Sequence, residues 1–357
     1  MRIKNNTYKN LYYALIVGDY PSLAKSELLA ILESEEIAFK MVMELDQLLI
    51  FEAENDAIKY LKHRASMIKE LGIVIALSHQ DLLELKYVLE TSSRSSIING
   101  LNLRIELNSI RGHGRRINYQ KLIENVAQAI TKLGAKPSPR SPIILSIIAS
   151  DGILLAGLRI HRRSMKEFFD REPHVRPMYK PGAMKSELCR LFVNLSRAST
   201  KKKSLVLDPF CGVGGMLLEA CLMGMRGIGI DIDHRSALGA IANIDYYNCS
   251  GAIDIIVADA SKIPLKVESV DAIATDPPYG RQSIPRGMDL EDLLESFIFS
   301  SAEVLKKNSC AAFAIPMGLD SIIEKYIEAS GLIINERHMN WVHGSLTRVV
   351  YVVCKSC

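Results

Sequence analysis

Residues 204–223 read SLVLDPFCGVGGMLLEACLM, and this segment indicates the fold class of the C-terminal half of the chain. A short apolar run ends at Asp208, a glycine-rich turn follows, and residues 216–223 have the apolar character of a buried helix. A strand, a glycine-rich turn and a helix, in that order, open a doubly wound α/β sheet, in which glycines let a ligand approach the backbone closely. The stretch therefore predicts a nucleotide-type ligand site on a parallel sheet.

Two further apolar runs downstream each lead into an acidic residue. Residues 227–230 (GIGI) precede Asp231, 19 residues after Gly212, which is close to the spacing of an acid that binds ribose hydroxyls. Residues 253–257 lead into Asp259, where a carboxylate can meet an adenine amine. Taken singly, Asp231 or Asp259 could equally be a helix N-cap. Acids after three consecutive strands favour a site for an adenosine-containing ligand.

Residues 276–280 (DPPYG) follow a fourth apolar run, 270–275, and suit the methylation of an exocyclic amine on a base. Such an amine is conjugated with its ring, so its lone pair is a poor nucleophile. Asp276 can accept one N–H and the Pro277 carbonyl the second, because prolines fix φ and remove backbone donors. Tyr279 can stack on the base. Alone, the tetrapeptide could also be a turn made by two prolines.

Together these residues resemble the S-adenosylmethionine-dependent class I methyltransferases, in their amino-methylating branch, over about residues 175–357. A more detailed pattern includes RPMYKPGAM at 176–184, Leu188, Arg190 and VNLS at 193–196. With LDPFCGVGG and TDPPYG, it resembles the archaeal tRNA guanine-N2 methyltransferases that act on guanosine 10. The chain departs from that family at Lys185-Ser186, where relatives often carry a proline-containing helix start.

The resemblance implies a domain order and a fold. It implies an α/β chain with a C-terminal Rossmann-like methyltransferase sheet, preceded by α+β ferredoxin-like and THUMP domains. We expect a ferredoxin-like domain at 1–62, a THUMP RNA-binding domain at 63–161, a linker at 162–180 and the methyltransferase domain at 181–357. The order β-α-β-β-α, read from hydrophobic periodicity near the N-terminus, suits the ferredoxin-like part.

The resemblance also implies the ligands and the residues that bind them. S-adenosylmethionine would be the methyl donor, S-adenosylhomocysteine the product, and N2 of a tRNA guanine the acceptor. The acceptor site would comprise Asp276, Pro277, Pro278 and Tyr279. The donor site would comprise Asp208, Phe210, Gly212, Gly214, Asp231, Ile232, Asp259, Ala260 and Asp276.

The net charge of the chain is only +4, but the charge is unevenly distributed. Residues 91–166 hold thirteen Arg or Lys against three Asp or Glu, a bias typical of a polyanion-binding domain. Tyr119 is the one aromatic residue in this window, which disfavours stacking on single strands and favours the binding of phosphates by shape. The residues that we expect to contact RNA are Arg111, Arg115, Arg116, Arg140, Arg162 and Arg163.

Other features argue against a membrane span and a metal site. The longest apolar stretch, 142–160, is split by Asp151-Gly152, which predicts a β-hairpin rather than a membrane span. Cys354 and Cys357 form a CxxC without a second pair, so we expect the seven cysteines to be free thiols in a reducing cytosol. We therefore expect a soluble, cytoplasmic protein without bound metal, acting as a monomer with no obligatory helper subunit.

Three other functions stay open at this point. A DNA amino-methyltransferase would share the DPPY motif but should also carry a DNA target-recognition region. A guanine-N2 methyltransferase for guanosine 6 of tRNA or for ribosomal RNA would share nearly every motif. A non-catalytic RNA-binding protein is disfavoured, because the donor and acceptor motifs are both complete. The sequence also leaves open mono- or dimethylation, and whether Asp276 acts as a base or only orients the amine.

Overall fold

The computed structural model describes residues 10–115, 117–279, 289–343 and 346–356, with the backbone alone for residues 342, 343 and 346. Arg116, Gly280 and Cys357 lie outside these residues. The chain divides into two compact units. The first comprises residues up to 25, 37–62 and 68–163, and the second comprises 26–36, 63–67 and 164–357.

The first unit is built on one mixed sheet. The elements of this half of the chain are β1 (Asn10–Ile16), α1 (Pro21–Ser34), β2 (Phe39–Leu45), β3 (Leu48–Ala53), α2 (Ala57–Arg64), β4 (Ile68–His79), α3 (Leu82–Thr91), β5 (Asn102–Ser109), α4 (Tyr119–Lys132), β6 (Lys136–Pro137), β7 (Ile144–Ser150) and β8 (Ile153–Arg162). The strand order is β2-β3-β1-β4-β8-β7-β5-β6. Strands from both predicted N-terminal domains thus share one sheet, and the boundary between those domains stays a prediction.

The β-hairpin predicted in the long apolar stretch is confirmed. Asp151 and Gly152 connect β7 and β8, with φ of +42° and +78°, as a two-residue hairpin turn requires. The basic region also contains a capped helix: α4 begins after Asn118, whose side chain accepts the backbone N–H of Lys121. No helix in the described ranges is long and apolar enough to span a bilayer.

The second unit is a Rossmann-like α/β domain, as predicted. Its further elements are α5 (Met165–Phe169), α6 (Ser186–Leu195), β9 (Leu205–Asp208), α7 (Gly215–Leu222), β10 (Arg226–Asp231), α8 (His234–Tyr246), β11 (Ile253–Val257), β12 (Val270–Thr275), α9 (Leu290–Val304), β13 (Leu305–Pro316), α10 (Asp320–Ala329), β14 (Leu332–His343) and β15 (Leu346–Lys355). The strand order is β11-β10-β9-β12-β13-β15-β14. The first five strands are parallel, and β15 runs antiparallel to both of its neighbours.

This strand order brings the predicted acidic strand ends together. Because β9 lies between β10 and β12, the carboxyl ends of β11, β10, β9 and β12 follow one another along one edge. Ligands of open α/β sheets bind beyond this edge, where the order of the strands reverses. The packing behind the edge is aromatic: the ring of Phe297 on α9 lies edge-on to Phe210, at 5.2 Å, and to Phe313, at 5.5 Å.

Two short segments from the N-terminal half belong to the second unit. Arg64 is fully buried, forms an ion pair with Glu35, and donates to Asn194 Oδ1 at 3.1 Å. Glu35 also accepts the backbone N–H of Thr200 at 2.7 Å. A buried charge is tolerated only when it is paired and hydrogen-bonded, so these contacts fix residues 26–36 and 63–67 as part of this unit.

The expectation that all cysteines are free thiols is wrong. Cys221 is bonded to Cys249, and Cys310 to Cys354, while Cys189 and Cys211 are free and buried. The physical reason is tertiary: Cys310 and Cys354 face each other in the register of β13 and β15, although 44 residues separate them. The sequence spacing that suggested an isolated CxxC gives no information about this pairing.

Candidate active site

A cavity of about 220 Å³ lies at the carboxyl edge of the second sheet. Its walls come from the turns after β9, β10, β11 and β12 and from the segment before α6. Among the described residues that line it, eight were predicted to bind the donor: Asp208, Phe210, Gly212, Asp231, Ile232, Asp259, Ala260 and Asp276. Pro278 also lines it, whereas Pro277, Tyr279 and Gly214 are not among the lining residues.

Two glycines of the turn after β9 are left-handed, for different reasons. Gly212 has φ of +50°, and a Cβ added there would meet nothing within 4 Å. Gly214 has φ of +82°, and an added Cβ would lie 3.2 Å from the Cβ of Ala240 on α8. Gly212 therefore leaves open space beside the cavity, and Gly214 allows close packing against α8.

Asp231, at the end of β10, lines the cavity and also holds the glycine turn. Its Oδ2 accepts the backbone N–H of Gly212 at 2.8 Å, and its Oδ1 accepts that of Asp233 at 2.9 Å. Each carboxylate oxygen has a second acceptor position, so both can still accept ribose hydroxyls. The ribose contact stays a prediction, and the structure adds a role that spacing alone did not indicate.

Asp208, at the end of β9, is the most deeply buried of the four acids. Its Oδ1 accepts the hydroxyl of Thr275 at 2.6 Å and the backbone N–H of Phe210 at 3.2 Å. Burial raises the pKa of Asp208 to about 7; Asp231 and Asp276 add to this rise, and the two hydrogen bonds oppose it. Asp208 is therefore close to half-ionised at neutral pH.

Asp259, after β11, caps a short helix and also lines the cavity. Its side chain accepts the backbone N–H of Ser261 at 2.8 Å and caps the short 3₁₀ helix Ala260–Lys262. It also lines the cavity, as does Ala260. The capping alternative is confirmed, and the adenine contact stays a prediction.

The acceptor motif starts where β12 ends. The hydroxyl of Tyr279 donates to Asp276 Oδ1, and Arg348 on β15 donates from Nη1 to Asp276 Oδ2 at 2.8 Å. Burial raises the pKa of Asp276, and the charge of Arg348 acts in the opposite direction. The roles of the Pro277 carbonyl and of the Tyr279 ring toward a base stay predictions.

Arg176 is the first residue of the RPMYKPGAM motif, but no role at the site was assigned to it from the sequence, because residues 162–180 were expected to be a linker. Arg176 is buried and lines the cavity; its Nε donates to the Arg171 carbonyl at 2.9 Å and its Nη2 to Ser186 Oγ at 3.1 Å. Its Nη1 is buried and has no hydrogen-bond partner in the described part of the chain. A buried guanidinium nitrogen without a protein partner, beside a cavity, fits a ligand that carries a carboxylate.

The arginines predicted to contact RNA all belong to the first unit. Arg111 and Arg162 have weak ion pairs, with Asp46 at 3.6 Å and Glu106 at 3.9 Å, and their side chains stay about 60% exposed. The exposed members of the set are Arg111, Arg115, Arg140 and Arg162; Arg163 is partly buried, and Arg116 lies outside the described residues. RNA contact by these residues stays a prediction.

The fold and the cavity define a class of enzyme. Five parallel strands followed by an antiparallel pair, acids after four adjacent strands, and Asp-Pro-Pro-Tyr after the last of them are the features of an S-adenosylmethionine-dependent methyltransferase that acts on amino groups. Across the described residues, no group of three or more His, Cys, Asp or Glu is placed to hold a metal ion.

Comparisons with known proteins narrow this class to a family. Residues 173–350 match the family model "RMKL-like, methyltransferase domain". The tRNA (guanine(10)-N2)-dimethyltransferase of Methanothermobacter thermautotrophicus is 31% identical, over 95% of this chain and 98% of its own length. The enzyme of the same name from Pyrococcus abyssi is 32% identical, over 96% and 99%. The chain belongs to the tRNA (guanine(10)-N2)-dimethyltransferase family.

A solved structure supports the fold of the whole chain. TrmN from Thermus thermophilus superposes with a TM-score of 0.55 at 17% identity, over 97% of this chain and 100% of TrmN. At this identity the likeness shows the fold alone. The family resemblance read from the motifs is confirmed, as are the Rossmann-like fold and the use of S-adenosylmethionine.

Proposed function

We propose that this protein methylates the exocyclic N2 of guanosine 10 in tRNA, giving N2-methylguanosine and then N2,N2-dimethylguanosine. One observation carries the proposal. Asp276, which we predict to accept a hydrogen bond from the guanine amine, lines the same cavity as the acids predicted to bind S-adenosylmethionine. An amine bound at Asp276 would therefore lie beside the donor. The names of the full-length relatives support guanosine 10 as the target.

The residues of the cavity fit S-adenosylmethionine. The unpartnered Nη1 of Arg176 suits the donor's carboxylate, and Asp208 suits its ammonium group. Asp231 suits the ribose hydroxyls, Asp259 suits the adenine amine, and the open space beside Gly212 admits a ligand close to the backbone. Four acids around one cavity also favour a ligand whose sulfonium and ammonium groups are both cationic.

The reaction requires mainly the positioning of the amine. When bound, S-adenosylmethionine supplies its methyl group: the N2 lone pair forms the new C–N bond, the C–S bond breaks, and its electron pair stays on sulfur. The N2 nitrogen then loses a proton, which passes to the Asp276 carboxylate and on to water. Asp276 and the Pro277 carbonyl would orient the two N–H groups, and Tyr279 would stack on a base flipped out of its helix.

The first unit would hold the tRNA. Its exposed arginines carry positive charge with weak or partial pairing, as phosphate binding requires. We propose that residues 1–62 and 63–161 act as ferredoxin-like and THUMP domains. We also propose that the enzyme works in the cytoplasm as a monomer, without a metal or a helper subunit.

The test uses the full chain, labelled S-adenosylmethionine and an unmodified tRNA transcript. Nucleoside analysis with site mapping should find N2-methylated guanosine at position 10. Asp276→Asn should abolish transfer while leaving donor affinity within about threefold, because Asp276 faces the amine. Product in duplex DNA, at guanosine 6 or in ribosomal RNA would replace the proposal with the corresponding alternative, and absence of any product would reject catalysis on these substrates.

A further inference from the structure

Arg348 is a buried arginine at the acceptor site that no motif pointed to. It lies on β15 and pairs in register with Asn340 on β14 and with Pro316 on β13. Its side chain is only 5% exposed, and its guanidinium lies 5.6 Å from the centre of the Phe192 ring on α6. Burying an arginine costs free energy unless its charge is compensated, so the contacts of Arg348 identify the groups that compensate it.

The contacts of Arg348 converge on the Asp-Pro-Pro-Tyr motif. Nη1 lies 2.8 Å from Asp276 Oδ2 and 3.0 Å from the Tyr279 hydroxyl oxygen. Nε donates to Asn340 Oδ1 at 2.6 Å, which fixes the plane of the guanidinium. The Tyr279 hydroxyl in turn donates to Asp276 Oδ1. Both carboxylate oxygens of Asp276 are therefore held, each with one acceptor position still available.

We propose that Arg348 is a positioning residue for methyl transfer, which keeps Asp276 ionised and oriented so that its remaining acceptor positions receive the guanine amine. This inference rests on the proposed function of the site. An ionised carboxylate accepts hydrogen bonds at both oxygens, whereas a protonated one presents a donor. Without Arg348, burial would favour the protonated form, which binds an N–H group poorly and accepts no proton.

The surroundings of Asp276 make Arg348 the decisive charge. Tyr279 stays protonated, because burial and then the neighbouring Asp276 raise the pKa of its hydroxyl. Asp208, at the end of β9, is an acid, so it can only disfavour ionisation of Asp276. Cys189, on α6, is a buried thiol whose pKa burial raises to about 12, so it carries no charge near neutral pH. Of these neighbours, Arg348 alone supplies a compensating cation.

The test compares two substitutions in the full-length protein. Arg348→Gln keeps a side chain that can donate hydrogen bonds but removes the charge, whereas Arg348→Lys keeps the charge. The matched control is Arg337→Gln on β14, because Arg337 is half exposed and is paired with Asp320, outside the acceptor motif. Single-turnover rates of tRNA methylation are measured from pH 5 to 9, with calorimetry of S-adenosylmethionine binding to confirm that each variant is folded.

Loss of an opposite charge at this distance raises a carboxyl pKa by about 1–3 units, so Arg348→Gln should move the acidic limb of the rate profile upward by that amount. Arg348→Lys and Arg337→Gln should leave the limb near its wild-type position, and donor affinity should stay within about threefold in every variant. A rate that falls equally at all pH values in Arg348→Gln would show a purely structural role. An acidic limb that moves as far in Arg348→Lys as in Arg348→Gln would also overturn the inference. An inactive wild type would overturn the proposed function, and this inference with it.

Discussion

Asp208 offers a sharp prediction, because its ionisation should control donor binding near neutral pH. Burial raises its pKa to about 7, and it lines the donor cavity where we place the ammonium group of S-adenosylmethionine. With that pKa, about one-tenth of the side chains are ionised at pH 6 and about nine-tenths at pH 8. If the ionised carboxylate binds the donor's ammonium group, the ratio of the S-adenosylmethionine dissociation constants of Asp208→Asn and wild type should rise about tenfold from pH 6 to pH 8.

The measurement is calorimetry of S-adenosylmethionine binding at pH 6, 7 and 8 for both proteins. The donor's own ammonium titrates equally in both experiments, so the ratio of the two dissociation constants isolates Asp208. The amide introduced by Asp208→Asn is nearly isosteric with the carboxylate and can still accept the Thr275 hydroxyl, whose bond to Asp208 is 2.6 Å long. Asp254→Asn is the control, because Asp254 is exposed on β11 and is not among the lining residues of the cavity.

The apo protein gives a second readout of the same group. A carboxyl group whose folded pKa is raised stabilises the fold below its ordinary pKa of about 4, and this contribution is lost as the pH rises through about 7. Asp208→Asn should therefore raise the melting temperature relative to wild type more at pH 8 than at pH 5. A ratio of donor affinities that stays constant from pH 6 to pH 8 would refute the ammonium contact.

Three further predictions concern other parts of the molecule. Arg176→Met should weaken S-adenosylmethionine binding by about tenfold or more in calorimetry, since a hydrogen bond to a charged group contributes about 1.5–3 kcal/mol; unchanged binding would remove Arg176 from the donor site. Glu219→Gln should destabilise the protein by about 3–5 kcal/mol in chemical unfolding, because Glu219 is fully buried between two arginines at 2.5 and 2.7 Å; a change below about 1 kcal/mol would contradict this. Arg162→Gln should lower the slope of log tRNA affinity against log salt by about 0.7–0.9 in filter binding, with donor binding unchanged; an unaltered slope would exclude a phosphate contact.

The sequence predicted those parts of the fold that depend on local pattern. Apolar runs, a glycine-rich turn and an Asp-Gly pair determine strands, helices and one hairpin, because these features act within a few residues. The acids at the ends of the runs could be placed at one edge, since parallel strands share their carboxyl ends. Asp208, Asp231 and Asp276 accordingly line one cavity.

The sequence could not show contacts that depend on sheet order. Arg348 reaches Asp276 across 72 residues, because β13 and β15 follow β12 in the sheet. The pairing of Cys310 with Cys354 has the same origin. Likewise, no periodicity indicates that residues 26–36 and 63–67 belong to the second unit. A fragment that begins near residue 175 would lack Glu35 and Arg64, so experiments on tRNA binding are better made with point variants of the full chain.

The excess of basic residues in 91–166 describes the region as a whole and not the availability of each arginine for binding phosphate. Arg159 contributes to the basic bias of residues 91–166, yet its side chain is only 7% exposed and is paired with Glu70 at 2.6 Å and with Glu106 at 2.7 Å. Because its charge is already paired with two carboxylates, this arginine is not available to bind a phosphate. The exposed Arg140 and Arg162 can contact a phosphate. Arginines of the same window therefore differ in their capacity to bind RNA.

We assign N2 of guanosine 10 as the atom that receives the methyl group, and the removal of one chemical group from the tRNA tests this assignment. Inosine differs from guanosine only by the absence of the exocyclic amine. A tRNA with inosine at position 10 should still bind the enzyme through the phosphates that we assign to the first unit, should compete with the guanosine tRNA, and should receive no methyl group. Methylation of the inosine tRNA at the rate of the guanosine tRNA would contradict this assignment, because the methyl group would then be transferred to another atom or another nucleotide.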